Sequence, residues 1–204
     1  MGELLQKPKE VFAKYQPERD DLLREMEKNA REQEIPIVGP FMGHFLSMLI
    51  SFGSFEKILE LGTATGYSAI WMGQVLKHKG GKLITIEQNE SKVAIAKRNF
   101  QKAALSEIIS IKNGKANQIV PQLQTKFDLI FMDIDKEYYK SLLPLCKNKI
   151  RKGGLLIADN TTFLDAQPFN EAIYRSQDWE SINMYGFWPQ HDPDMDGLCL
   201  ATRQ

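Results

Sequence analysis

The chain has 204 residues, 43% hydrophobic and 25% charged, which suits one well-buried core, is short for two, and excludes disordered and fibrous classes. Its 26 basic and 26 acidic residues cancel, which argues against a broad basic surface for nucleic acid. No window has the length of a membrane span, the charged N-terminus lacks a signal-peptide core, and Cys146 and Cys199 show neither metal-finger nor redox spacing; the expectation is a cytoplasmic domain with two core thiols.

Residues 1–52 read as a helical segment that packs on, or closes over, an α/β core spanning 53–204, the whole forming one domain. Leu22, Leu23, Met26 and Ala30 recur at helical spacing among charges from Glu18 to Glu34, which predicts an amphipathic helix. Ile35-Pro36-Ile37-Val38-Gly39-Pro40 breaks it, and a second helix runs from Met42 to Phe52 with Phe45, Leu46, Met48 and Leu49 on its apolar face. Segments before the first strand of a doubly wound sheet often fold over its ligand crevice, so Ile37 and Val38 are candidate lid residues.

Lys57-Ile58-Leu59-Glu60-Leu61-Gly62-Thr63-Ala64-Thr65-Gly66-Tyr67-Ser68 is the stretch around which the rest of the chain is organised. A short apolar run stops at Gly62 and helical spacing resumes after Gly66: a buried strand, a tight turn and a helix start. Gly62 and Gly66 admit a ligand close to the backbone, and Thr63, Thr65 and Ser68 place hydroxyls near the open N–H groups of the helix start. The three-glycine dinucleotide fingerprint is absent, and Glu60 just before the turn would repel a phosphate and attract a cationic group. The pattern favours a cationic, phosphate-free nucleotide, of which S-adenosylmethionine is the common one.

A helix from about Tyr67 to Lys77 ends at His78-Lys79-Gly80-Gly81. The strand Leu83 to Glu87 then delivers Glu87 about 20 residues past the second glycine, where a carboxylate can accept from both ribose hydroxyls. Ser91 to Ala104 has helical composition, Glu107 to Lys112 is a third strand, and Asn113-Gly114-Lys115-Ala116 forms a loop that could meet the adenine.

Lys126 to Met132 is the fourth strand, tipped by Asp133-Ile134-Asp135-Lys136; Tyr138 to Ile150 reads as a helix stopped by Arg151-Lys152-Gly153-Gly154. Leu155 to Ala158 is the fifth strand, tipped by Asp159-Asn160. Strands alternating with helices this regularly imply a parallel sheet wound on both faces, with ligands at the strands' carboxyl ends. Ser181 to Tyr185 and Leu198 to Thr202, joined by the loop from Gly186 to Asp196, suggest a terminal antiparallel hairpin.

Asp133, Asp159 and Asn160 bring three hard oxygen donors to neighbouring strand tips, which suits magnesium first and manganese or calcium next, and not zinc. Each alone reads as a cap or turn residue; their joint placement beside a cofactor turn favours a metal site. Lys136, three residues past Asp133, could remove a proton from a substrate hydroxyl there, and Asp135 lies nearer the cofactor side. His44 and His191 show no partner pattern and read as structural or surface groups.

Glu60-Leu61-Gly62-Thr63-Ala64-Thr65-Gly66-Tyr67-Ser68, Met132-Asp133-Ile134-Asp135-Lys136, Asp159-Asn160-Thr161, Gly43 to Leu49 and Asp196-Gly197 together resemble the motifs of the cation-dependent, S-adenosylmethionine-dependent O-methyltransferases, the group that includes catechol and caffeoyl-CoA O-methyltransferases. The resemblance covers Ile35 to the C-terminus. It implies a Rossmann-like, doubly wound, seven-stranded sheet, mostly parallel with an antiparallel C-terminal strand. It further implies that Val38, Glu60, Gly62, Thr63, Ser68, Glu87, Ala116 and Asp135 hold S-adenosylmethionine, with Gly66, Tyr67 and Asp133 beside them. Asp133, Asp159 and Asn160 match the metal ligands, with Asp133 and Lys136 as the catalytic pair and Lys136 as general base. The family methylates vicinal hydroxyls of small aromatics, and many members are homodimers.

Two positions depart from the family. Lys115 stands where an acidic residue is common, and the short segment from Thr161 to Gln167 argues against acyl-CoA acceptors. Phe163 and Trp188 are candidate pocket aromatics. The expectation is therefore an O-methyltransferase of a catechol-like aromatic. A tRNA wobble hydroxyuridine methyltransferase is the alternative, and a binding module without turnover comes third.

Overall fold

The computed structural model describes residues 2–204. Among them, eight α-helices and seven strands run in the order α1 (Pro8–Phe12), α2 (Asp21–Glu32), α3 (Gly39–Phe52), β1 (Lys57–Leu61), α4 (Tyr67–Lys79), β2 (Lys82–Glu87), α5 (Glu90–Lys102), β3 (Ile109–Asn113) and α6 (Ala116–Ile119). Then come β4 (Phe127–Met132), α7 (Tyr139–Lys149), β5 (Ile150–Ala158), α8 (Gln167–Tyr174), β6 (Trp179–Phe187) and β7 (Met195–Arg203). The strands form one sheet in the order β3-β2-β1-β4-β5-β7-β6. The five from β3 to β5 are parallel, and β7 runs antiparallel to both of its neighbours.

Strand periodicity explains the two layers. Along β4, Leu129 and Phe131 face the core shared with α2, α3, α4 and α5, while Ile130 and Met132 face the core shared with α7 and α8; all four are fully buried. A strand covered on both faces reads as an unbroken apolar run, which is why Phe127–Met132 is legible in the sequence.

The helix ends reflect local chemistry. Asp20 accepts the Leu23 N–H at 2.8 Å ahead of α2, and the Asn89 side chain accepts the Ser91 and Lys92 N–H groups ahead of α5. Gly80 closes α4 in the left-handed region at φ +72°.

Three local features differ from the sequence expectation. First, β5 starts at Ile150, because Ile150 already pairs with Phe127 before the register jumps to Leu129 opposite Leu155. Arg151 to Gly154, expected as a helix stop, is a bulge in that strand, with Gly153 at φ +68°. Second, α8 and the five-residue α1 were not expected; both are short and carry a proline in the first two positions. Third, the terminal hairpin is longer than expected, with nine residues in each strand. Cys146 and Cys199 are both free and buried.

The order reverses between β1 and β4, since β1 leads outward to β2 and β3 before the chain crosses back. Such a switch point opens a crevice at the carboxyl ends of the strands. No helix among the described residues is long and apolar enough to cross a membrane.

Candidate active site

A cavity of 610 Å³ opens at that switch point, within the usual range for small-molecule sites. Its floor is the turn after β1. Gly62 stands at φ +100°, and a Cβ there would overlap the Asp133 carbonyl, so glycine is required for the tips of β1 and β4 to meet. The Asp133 N–H donates to the Leu61 carbonyl at 2.8 Å, joining those tips.

Glu60 lies one residue short of the tip and points into the face covered by α4. It is fully buried and does not line the cavity. Ser68 Oγ and Thr85 Oγ1 donate to its two oxygens at 2.5 Å each, and Thr63 Oγ1 sits 2.5 Å from Thr85 Oγ1. Burial pushes the Glu60 carboxyl up to about 7 against the lowering effect of those hydroxyls. Ser68, which it holds in place, does line the cavity. Gly66 is also outside the wall: it opens α4 at φ +92° against Phe100, where a Cβ would come within 2.5 Å of the ring. Trp188 is likewise absent from the wall and packs on Phe45 with ring centroids 5.7 Å apart.

The other residues expected at the cofactor line the cavity: Val38, Gly62, Thr63, Tyr67, Ser68, Glu87, Ala116, Asp133 and Asp135. Glu87 is held by backbone amides, with the Ala64 N–H on one oxygen at 2.9 Å and the Asn89 N–H on the other at 2.8 Å. Each carboxylate oxygen keeps a lone pair for a further donor. Tyr67 is fixed from behind, its hydroxyl donating to buried Glu27 at 2.7 Å while Arg19 binds the same carboxylate at 3.0 Å.

Asp133 also belongs to a second group of lining residues, with Lys136, Asp159 and Asn160. Lys136 Nζ lies 3.1 Å from Asp133 Oδ1 and 5.9 Å from each of the Tyr139 and Phe163 ring centroids. The Asp133 carboxyl is pushed up by burial, with Lys136 opposing the shift and the Asp159 charge adding to it. The two carboxylates bring like charge to one corner, a place where positive charge is welcome. Tyr139 ties the strand tips together, its hydroxyl lying 2.9 Å from the Met132 carbonyl and 3.1 Å from that of Asp159.

Asp159 is almost fully buried and accepts from two sides: the Asn160 N–H at 2.9 Å on Oδ1 and His191 Nε2 at 2.9 Å on Oδ2. His191 Nδ1 lies 2.9 Å from the Pro193 carbonyl. Both ring nitrogens therefore face acceptors, and donating to both requires the imidazolium. Burial pulls the imidazole down, but the hydrogen bond and charge of Asp159 outweigh it and push the group up to about 9. Asn160 takes a left-handed φ of +52°, and its Nδ2 donates to buried Asp196 at 2.6 Å. A carboxylate only accepts, so the amide nitrogen must face Asp196 and Oδ1 is left as the free acceptor. Among the described residues no group of three or more His, Cys, Asp or Glu side chains is arranged to hold a metal. The corner offers two carboxylates and one amide oxygen.

Residues 12–171 match the family model described as O-methyltransferase, well over half of the chain. The chain belongs to the O-methyltransferase family. It is 39% identical over 147 residues to a catechol O-methyltransferase of Niastella koreensis, covering 69% of this chain and 66% of the relative. It is 31% identical over 175 residues to the catechol O-methyltransferase of Mus musculus, covering 82% and 65%. The chain thus spans about two thirds of the length of these curated relatives. The O-methyltransferase from Bacillus cereus, solved in complex with SAH, shares the fold at a TM-score of 0.86 and 24% identity, over 97% of each chain.

In this family member, His191 is the site residue that sequence reasoning missed. It lies 32 residues from Asp159 in a proline-containing loop, and no spacing rule links the two. Tyr138, Asp165 and Asp192 also line the cavity without any sequence signal. Ile37 and Phe163, expected near the ligand, are part of its wall.

Proposed function

We propose that the chain transfers a methyl group from S-adenosylmethionine to a hydroxyl of a small aromatic carrying adjacent hydroxyls, with a divalent cation, magnesium first, held by Asp133, Asp159 and Asn160. The observation that carries this reading is that two mutually repelling carboxylates and an amide oxygen turned away from Asp196 line the same cavity as the Gly62–Ser68 turn and Glu87. The donor set is all hard oxygen, which suits magnesium, manganese or calcium. The names of the catechol-methylating relatives and the SAH in the Bacillus cereus structure support the same chemistry.

When bound, the cation would lower the pKa of a neighbouring hydroxyl and align it, and the sulfonium would supply an electrophilic methyl. The protein's own residues do the rest. Glu87 accepts from the ribose hydroxyls, while Ser68 and the turn amides hold the amino-acid end of the donor. Lys136, beside Asp133 and between two aromatic rings, removes the hydroxyl proton in its neutral form. Phe163 and Tyr138 flank an aromatic acceptor and keep water from the methyl. The cavity wall includes Glu137, Asp165 and Asp192 and the chain has no net charge, neither of which favours a polyanion, and so the tRNA alternative ranks behind a small aromatic.

The test is methyl transfer from labelled donor to a panel of catechols, flavonoids and bulk tRNA. Transfer to a catechol that stops with chelator and returns with magnesium is expected. Transfer only to tRNA, or to a catechol regardless of chelator, would contradict the proposal.

A further inference from the structure

We infer that His191 is a positioning residue for the cation corner: from the loop between β6 and β7 it fixes the Asp159 carboxylate in the orientation a cation needs. The inference rests on the cation reading proposed for this site and concerns a residue outside the donor set.

The geometry is that of a strut between two anchored parts. At one end, His191 N–H donates to the Trp188 carbonyl at 2.9 Å and the Trp188 N–H donates to the Asp194 carbonyl at 2.7 Å, so the loop is closed by its own backbone. The loop also presses on the start of α3, where Gly39 stands at φ +71° and a Cβ would lie 2.5 Å from the Gln190 carbonyl oxygen. With Nδ1 against the Pro193 carbonyl, the ring has one orientation left.

At the other end, Nε2 meets Asp159 Oδ2, and both side chains are only 2% exposed. Asp159 Oδ1 is already held by the Asn160 N–H. The carboxylate therefore has one fixed donor on each oxygen, which sets both its plane and the lone pairs left over. Partners outside the donor set that orient a ligand in this way are typically worth 10-fold to 100-fold in metal affinity. Without His191, Asp159 would be a buried carboxylate with a single backbone donor, free to turn. The Asn160 side is held separately by Asp196, so the effect should be confined to Asp159.

The experiment measures manganese(II) binding to the full chain by electron paramagnetic resonance, with S-adenosylhomocysteine affinity measured alongside by calorimetry. Native protein is compared with His191→Gln, which keeps one N–H donor at similar reach, His191→Asn, which is too short, and His191→Ala. The expected result is a loss of manganese affinity of roughly 10-fold to 100-fold in His191→Ala and His191→Asn, recovery to within about threefold in His191→Gln, and unchanged S-adenosylhomocysteine affinity in all. Should His191→Ala not fold, the Gln and Asn pair carries the comparison. Manganese binding as tight or tighter in the Asn and Ala variants would overturn the inference and leave the cation site standing. Failure of native protein to bind manganese would remove both.

Discussion

Glu60 and Lys136 show how much depends on where one side chain points. Glu60 keeps its proton to about pH 7 when folded, against 4.5 for the free group. Between those values the native state holds a proton that the unfolded chain has lost, so stability falls as pH rises from about 4.5 to 7. The size is about 3 kcal/mol as an upper bound. Urea denaturation of ligand-free protein at about pH 5 and about pH 8 should therefore show Glu60→Gln gaining relative to native protein at the higher pH. An unchanged difference would mean that the carboxylate is ionised throughout. For Lys136, replacement by alanine should lower kcat by roughly 10²-fold to 10⁴-fold, the range for a general base, while manganese affinity changes little. Equal losses in both would make Lys136 a structural partner of Asp133.

Among the elements, the turn between β1 and α4 bears the most constraint. Gly62 must do two things at once: adopt a φ of +100° and leave room for the Asp133 carbonyl. Gly62→Ala should destabilise the protein by roughly 2–4 kcal/mol and weaken S-adenosylhomocysteine binding, as read by thermal melts with and without that ligand. Native stability and binding in this variant would show that the two strand tips can separate. The turn is legible in the sequence because glycines between an apolar run and a helical pattern have few other uses. The sequence does not show that Glu60 is buried behind the cavity wall, where strand alternation puts it on the same face as Ile58, under α4. The bulge from Arg151 to Gly154 stays hidden because two glycines after a basic helix end read equally well as a stop.

Across the whole molecule, the fold is readable wherever burial imposes a period. Ile58 to Leu61, Leu83 to Ile86, Phe127 to Met132 and Leu155 to Ala158 are pressed between two helical layers, and their apolar runs arise from that. Of the expected residues that line the cavity, Gly62, Glu87, Asp133, Asp159 and Asn160 sit at strand tips, and Val38, Thr63, Tyr67, Ser68, Ala116 and Lys136 lie on the segments around them. His191 escapes because its position depends on a hairpin folding back over the sheet, a long-range event with no local pattern. All of the proposed chemistry depends on the tips of β4 and β5 holding one cation beside the methyl donor. The most direct measurement is the nuclear relaxation of S-adenosylmethionine carrying a ¹³C methyl, bound to the protein without acceptor and titrated with manganese(II). A steep relaxation enhancement of the methyl carbon is expected, disappearing in Asp159→Ala while the donor stays bound. A methyl signal that manganese leaves unchanged would show that no cation sits beside the donor, and an enhancement that survives in Asp159→Ala would show that Asp159 does not hold it.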